Sequence, residues 1–121
     1  MGRKVLQHVV IFKLVESFTD EQLKEAVKQT AVMVNTIPGI ITASFAKNAD
    51  NLYDTFRPHT KGYTHTLLVT FENEQALKRY DTAPTHLELG KLIIPFMEDA
   101  IATDTIIDTF PDNCGGQKVA S

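Results

Sequence analysis

Residues 62–71 read Gly-Tyr-Thr-His-Thr-Leu-Leu-Val-Thr-Phe and form the clearest strand pattern in this chain of 121 residues. Side chains alternate across a strand, so apolar and polar residues at alternate positions indicate one face toward a core and one away from it. The row predicted to face the core consists of Tyr63, His65, Leu67, Val69 and Phe71. A histidine is therefore expected on an otherwise apolar face.

Three further stretches are typical of strands. Residues 5–14 are rich in β-branched and aromatic side chains, residues 40–47 alternate weakly, and residues 102–110 form the last stretch. In the first of them the more apolar face consists of Leu6, His8, Val10, Phe12 and Leu14. A second histidine, His8, is thus also predicted to face the core.

Amphipathic segments separate these strands. Thr19 and Gln22 form a capping-box pattern that begins a helix, which Pro38 and Gly39 end. Its predicted apolar face consists of Leu23, Val27, Ala31 or Val34, and Ile37. Asn73 is expected to cap a second helix, which Pro84 breaks or restarts. The segment after that break carries a row of His86, Leu89, Ile93 and Phe96.

The order of elements, β-α-β-β-α-β, predicts an α+β fold of the ferredoxin-like kind. Its usual form is a four-stranded antiparallel sheet with both helices on one face. The other face needs cover, and a second copy of the same sheet supplies it. We therefore expect a homodimer that forms a dimeric α/β barrel. One domain is predicted over residues 1–110, followed by a flexible C-terminal tail over residues 111–121.

Composition and charge exclude several classes of partner. The net charge of −3 leaves no basic surplus for nucleic acid. No apolar run approaches the roughly 20 residues of a membrane helix, so no membrane partner is expected. The single cysteine, Cys114, has no partner for an intrachain disulfide. These features predict a cytoplasmic protein.

Tyr80 and His86 are the candidate pair for chemistry. Six residues on one continuous helix would place them about 240° apart, so the break at Pro84 is needed to bring them together. A histidine can take a proton near neutral pH, and a tyrosine hydroxyl can donate to a developing oxyanion. Spacing alone favours the plainer interpretation, in which Tyr80 packs against the sheet and His86 begins a helix in contact with solvent.

The other histidines and the long loop allow two interpretations each. His8 and His65 taken singly are more often structural, although together they could flank one polar pocket. No histidine pair has the spacing that metal sites commonly use, so no metal is predicted. The loop over residues 48–61 is long enough to be a lid or a mobile solvated segment.

Four segments of the chain together resemble the stress-responsive dimeric α/β barrel (Dabb) family, and the likeness runs from about Lys4 to Phe110. The segments are residues 7–13, 62–65 and 71–72, and Tyr80 together with residues 84–86. The Gly-Tyr-Thr-His segment followed at this distance by Pro-x-His is more specific to the family than the fold pattern alone.

This resemblance implies a fold, an activity and roles for residues. It is greatest for polyketide cyclases of the family, which close a linear poly-keto thioester by an aldol condensation without metal or organic cofactor. By resemblance, His86 matches the catalytic base, Tyr80 the phenol that orients the substrate, and His8 and His65 the histidines that line the pocket. Apolar walls for a small aromatic or polyketide ligand are expected from Val10, Phe12, Leu67 and Ile93. Ala83 departs from the pattern, because these cyclases have histidine there.

Two other functions remain open at this point. One is a non-catalytic stress-responsive barrel protein whose histidines are satisfied core residues. The other is a cofactor-independent oxygenase or decarboxylase on the same fold. A cavity of a few hundred cubic ångströms reached by His86 and Tyr80 would favour an enzyme, and a filled interior would favour the structural protein.

Overall fold

A computed structural model describes residues 2–110 of the chain. It contains four strands, three α-helices and one turn of 3₁₀-helix. They are β1 (Arg3–Leu14), α1 (Asp20–Thr36), β2 (Ile40–Lys47), β3 (His65–Phe71), α2 (Glu74–Thr82), α3 (Pro84–Ile93), the 3₁₀ turn (Ile94–Phe96) and β4 (Met97–Thr109). The segment predicted to be a tail, residues 111–121, lies outside the described residues.

The strands form one antiparallel sheet in the order β2-β3-β1-β4. This arrangement confirms the predicted ferredoxin-like α+β fold. Val10 in the central strand β1 lies opposite Leu67 in β3 and Ala102 in β4. The rows that carry His8 and His65 therefore share one face of the sheet, since paired residues project to the same side.

The hydrophobic core lies between that face and the helices. Its largest fully buried side chains are Tyr80, Phe71, Met33 and Val69. Burying an apolar side chain of this size stabilises the fold by roughly 1.5–3 kcal/mol relative to exposure. The core therefore fixes α2, which carries Tyr80, against β3.

Helix α1 begins as predicted and buries part of its predicted apolar face, since Ile37 is in the core and Leu23 packs against it. Thr19 accepts from the Gln22 backbone N–H, and the Gln22 side chain accepts from the Thr19 N–H. The buried stripe contains Ala26, Thr30 and Met33, whereas Val27 is 45% exposed. The prediction was wrong for Val27, because it excluded a polar residue from the buried face. Thr30 is tolerated there because its hydroxyl donates to the Ala26 carbonyl at 2.8 Å.

The starts of β3 and β4 also differ from the prediction. β4 begins at Met97 rather than at Ala102, because it pairs with β1 along almost its whole length. β3 begins at His65, so Tyr63 precedes the strand and does not continue its core-facing row. The Tyr63 hydroxyl instead donates to the Asp99 carboxylate near the start of β4.

The sheet face opposite the helices is only partly covered. At its centre the strand register places the apolar side chains of Val9, Ile11, Leu68 and Ile101 side by side. Ile101 is 48% exposed. Within residues 2–110, none of the helices is long and apolar enough to cross a membrane.

Candidate active site

The break between α2 and α3 determines the geometry of the site. Ala83 has an extended backbone (φ −67°, ψ 136°) and precedes Pro84, the first residue of α3. A proline disfavours helical geometry at the residue before it, while its own fixed φ suits a helix start. The predicted restart at Pro84 is confirmed. It turns α3 so that His86, in its first turn, comes back over Tyr80 in the last turn of α2.

His86 and Tyr80 stack on each other. Their ring centroids are 3.9 Å apart and their planes differ by 27°. Tyr80 also makes edge-on contacts with Phe71 and His8, at centroid distances of 5.1 and 5.6 Å. The structure thus brings three of the predicted polar site residues, His8, Tyr80 and His86, to one place.

Two polar atoms of this cluster are buried without a hydrogen-bond partner among residues 2–110. They are the Tyr80 hydroxyl and His86 Nδ1. Leaving a buried polar group unpaired costs roughly 1–3 kcal/mol. Such unpaired groups are explained either by the function of the protein or by bound water. Tyr80 and His86 line the same cavity.

Burial sets the protonation of both groups. It is the main cause that raises the pKa of Tyr80 above its ordinary value of 10.0, and the Asp104 and Asp81 carboxylates act in the same direction. Burial lowers the pKa of His86 below 6.5, an effect that Asp81 partly opposes. At neutral pH the pair therefore consists of a protonated phenol, which can donate, and a neutral imidazole, which can accept a proton.

Asp104 is a site residue that the sequence analysis missed. It lies directly opposite His8 in the β1–β4 register, and its Oδ1 is 2.6 Å from His8 Nδ1. When Nδ1 donates to this carboxylate, the lone pair of the neutral ring is on Nε2. The predicted strand contains two acids, Asp104 and Asp108, and the one that meets His8 depends on a register that the sequence did not specify.

An apolar cavity of about 250 Å³ adjoins the cluster. It is lined by His8, Val10, Phe12, Leu67, Tyr80, His86, Leu89, Gly90, Ile93, Ile94, Met97 and Ala100. His8, Tyr80 and His86 also line a polar surface depression that contains Asp81 and Asp104. The polar groups therefore lie between an apolar cavity and a polar surface depression.

His65 is the predicted site residue that the structure does not bring to this cavity. Its ring lies between Phe18 and Phe45, at centroid distances of 5.2 and 5.8 Å, and its Nδ1 is 2.6 Å from the Thr64 hydroxyl. Burial lowers the pKa of His65. These contacts are those of a satisfied core histidine.

The long loop also lies away from the cluster. None of residues 48–61 lines the 250 Å³ cavity. Asn48, His59 and Lys61 instead border a depression that includes Ile11 and Ile101 on the open sheet face. In the described part of the chain, no group of three or more His, Cys, Asp or Glu side chains is placed to hold a metal ion.

Comparison with known proteins places these observations in a family. The model of the Stress responsive A/B Barrel Domain family matches residues 6–107. Among curated proteins, olivetolic acid cyclase from Cannabis sativa is 27% identical over 99 residues, which cover 82% of this chain and 93% of that protein.

Solved structures show the same fold. Hydroxynitrile lyase from Passiflora edulis superposes with a TM-score of 0.71 at 20% identity, covering 88% of this chain and 97% of the lyase. A dimeric ferredoxin-like protein of unknown function from Jannaschia sp. CCS1 gives a TM-score of 0.72 at 20% identity, covering 85% and 99% of the two chains. Named enzymes of two kinds are therefore similar to this chain.

Proposed function

The chain belongs to the stress-responsive A/B barrel domain family, and we propose that it is a cofactor-free enzyme of polyketide or related secondary metabolism. Its reaction would be the aldol-type cyclisation of an enolisable poly-keto substrate. The observation that carries this proposal is the stacked Tyr80–His86 pair, whose unpartnered hydroxyl and imidazole nitrogen are buried at an apolar cavity.

The proposed reaction begins at a carbon between two carbonyl groups. His86 takes a proton from this carbon, and the resulting enolate oxygen accepts a hydrogen bond from the Tyr80 hydroxyl. The enolate carbon then attacks a more distant carbonyl carbon of the same chain, forming a carbon–carbon bond, and the new alkoxide takes the proton from His86. General acid–base catalysis of this kind contributes about a hundred- to ten-thousand-fold in rate.

The protonation states support these roles. A base must carry a lone pair at the working pH, and the lowered pKa of His86 keeps its imidazole neutral there. An oxyanion donor must keep its proton, and the raised pKa of Tyr80 ensures this. The reverse assignment, with Tyr80 as the base, is disfavoured by the same burial.

His8 and Asp104 have a supporting role in this proposal. The 2.6 Å contact between them fixes the orientation of the His8 ring beside Tyr80. His8 can then polarise or orient a substrate carbonyl from β1. A ligand that fills the apolar cavity displaces water from it, which strengthens these polar contacts and limits hydrolysis of reactive intermediates.

The ligand is proposed to be small and largely apolar. The cavity of about 250 Å³ would suit one aromatic ring with a short alkyl substituent. Similarity to olivetolic acid cyclase over most of both chains supports a polyketide ligand. A cavity of this size also supports an enzyme over the non-catalytic barrel protein.

A homodimer is part of the same proposal. The open sheet face presents a central apolar group, and the solved structure from Jannaschia is that of a dimeric protein. A stable interface of standard size buries about 1,200–2,000 Å² in total. Sheet-on-sheet packing of two copies would cover the exposed part of Ile101 and convert two open sheets into one barrel.

Product profiling tests the proposed reaction. Purified protein is added to a polyketide synthase reaction that spontaneously yields pyrones, in parallel with His86→Ala and with a control, His59→Ala, whose histidine lies in the long loop away from the cavity. Wild type and His59→Ala are expected to divert product to a cyclised compound, the aldol product or the aromatic ring that it forms on loss of water, and His86→Ala is not. Unchanged products with wild type across several chain lengths would contradict the proposal.

A further inference from the structure

Gly90 lies in the interior of α3, where glycine is an unfavourable residue. It is the seventh residue of a helix that runs Pro84–Ile93. Glycine loses more backbone entropy in a helix than any other residue and contributes no side chain to packing. A glycine at this position therefore needs a reason.

Neither the backbone conformation nor the packing within the chain requires glycine at position 90. Gly39 and Gly62 have positive φ angles, and a Cβ at Gly39 would lie 2.4 Å from that of Ala76. Gly90 has no such conformation, and its nearest contact would be Ile94 Cδ1 at 3.5 Å, an ordinary packing distance. Alanine at position 90 would thus fit the backbone and the surrounding side chains.

The position of Gly90 relative to His86 supplies a functional reason. The two residues are four apart on α3, so they lie on one face of the helix about 5–6 Å apart at Cβ. Both line the apolar cavity. A side chain at position 90 would occupy part of the cavity that the His86 ring also lines, and would compete with a bound substrate for that space.

We propose that Gly90 determines which substrates fit. In this inference, which rests on the proposed function, the absent side chain leaves room for an apolar substituent of the substrate to pack directly on the α3 backbone. The site therefore accepts an enolisable or phenolic ring that carries an apolar tail. Larger residues at position 90 shorten the tail that can be bound.

Binding of a homologous series of phenols tests this inference without requiring turnover. Phenol, para-propylphenol and para-pentylphenol are titrated by calorimetry into wild type, Gly90→Ala and Gly90→Val. The control is Lys91→Ala, an exposed position of the same helix. In wild type and in the control, affinity is expected to rise with tail length. In the Gly90 variants, para-pentylphenol should bind at least about tenfold more weakly, while phenol changes little.

Thermal unfolding provides a second readout. Because the glycine is unfavourable in the helix, Gly90→Ala should raise Tm by about 4 °C while it weakens binding of the long probe. A lowered Tm, equal binding of the series by Gly90→Ala and wild type, or no binding of any phenol by wild type would each overturn the inference. If the proposed reaction is wrong but this inference is right, the polyketide products will be unchanged while binding affinity still depends on tail length.

Discussion

His86 stacks on Tyr80 with 3.9 Å between ring centroids, although six residues separate them in the sequence. On one continuous helix they would face directions about 240° apart. The extended backbone of Ala83 and the new helix start at Pro84 remove that constraint. The resulting contact buries both groups, and burial gives each the protonation state that its proposed role requires.

Tyr80→Phe separates the catalytic from the packing contribution of this residue. The ring keeps its contacts with Phe71 and His86, while the hydroxyl, which has no partner among the described residues, is removed. We expect kcat/KM for cyclisation to fall at least about a hundredfold, as for loss of an oxyanion donor. Tm should stay the same or rise, because an unpaired buried polar group is lost. A lowered Tm with unchanged kcat/KM would show that Tyr80 is structural.

Asp104→Asn tests whether the carboxylate acts through His8. The substitution preserves the shape of the side chain but removes the charge that accepts from His8 Nδ1. We expect kcat/KM to fall about tenfold, equivalent to roughly 1.4 kcal/mol of lost transition-state stabilisation. His8→Gln should have a similar effect, and the double variant should be little worse than either single one. Fully additive losses would show that the two residues act independently.

The pH dependence of activity should reflect the lowered pKa of His86. Only the neutral imidazole is a base, so the acid limb of kcat/KM should have its midpoint below pH 6.5, the ordinary value for histidine. On the alkaline side, the raised pKa of Tyr80 keeps the phenol protonated beyond pH 10.0. Initial rates of wild type and of Tyr80→Phe, measured from pH 5 upward, give the acid and alkaline limbs of the pH profile. An acid limb centred above pH 6.5 would contradict the assignment of His86.

Ile101→Lys tests the proposed dimer. Ile101 lies at the centre of the open sheet face, where a partner would bury its side chain and a lysine charge would be desolvated. We expect sedimentation equilibrium to show a dimer for wild type and mostly monomer for Ile101→Lys. Val27→Lys, on the exposed face of α1, is the matched control and should remain a dimer. A monomeric wild type, or a dimeric Ile101→Lys, would contradict this mode of association.

Local signals in the sequence were sufficient for much of the fold. The alternation over residues 65–71, the capping box at Thr19 and the restart at Pro84 each depend on neighbouring residues, and all three are confirmed. The family resemblance then indicated His86 and Tyr80. The buried face of α1 was predicted only in part: Leu23 and Ile37 pack on the core, but Thr30 was not foreseen there because it satisfies its hydroxyl within the helix.

Tertiary relationships account for the rest. Asp104 meets His8 only through the β1–β4 register, and no local pattern specifies that register. His65 shares a sheet face with His8, but its ring packs against Phe18 and Phe45 and does not line the cavity. Two side chains on the same face of the sheet therefore need not line the same pocket. One face of a four-stranded sheet is wide enough for the cavity and for a separate part of the core.

Deuterium exchange tests the central claim, that His86 is the base, most directly. A β-keto thioester is incubated in D₂O with wild type or His86→Ala, and NMR follows loss of the proton signal at the carbon between the two carbonyls. We predict that wild type accelerates exchange above the buffer rate by about a hundredfold or more, and that His86→Ala returns it to the buffer rate. Equal exchange rates with wild type and His86→Ala would contradict the account.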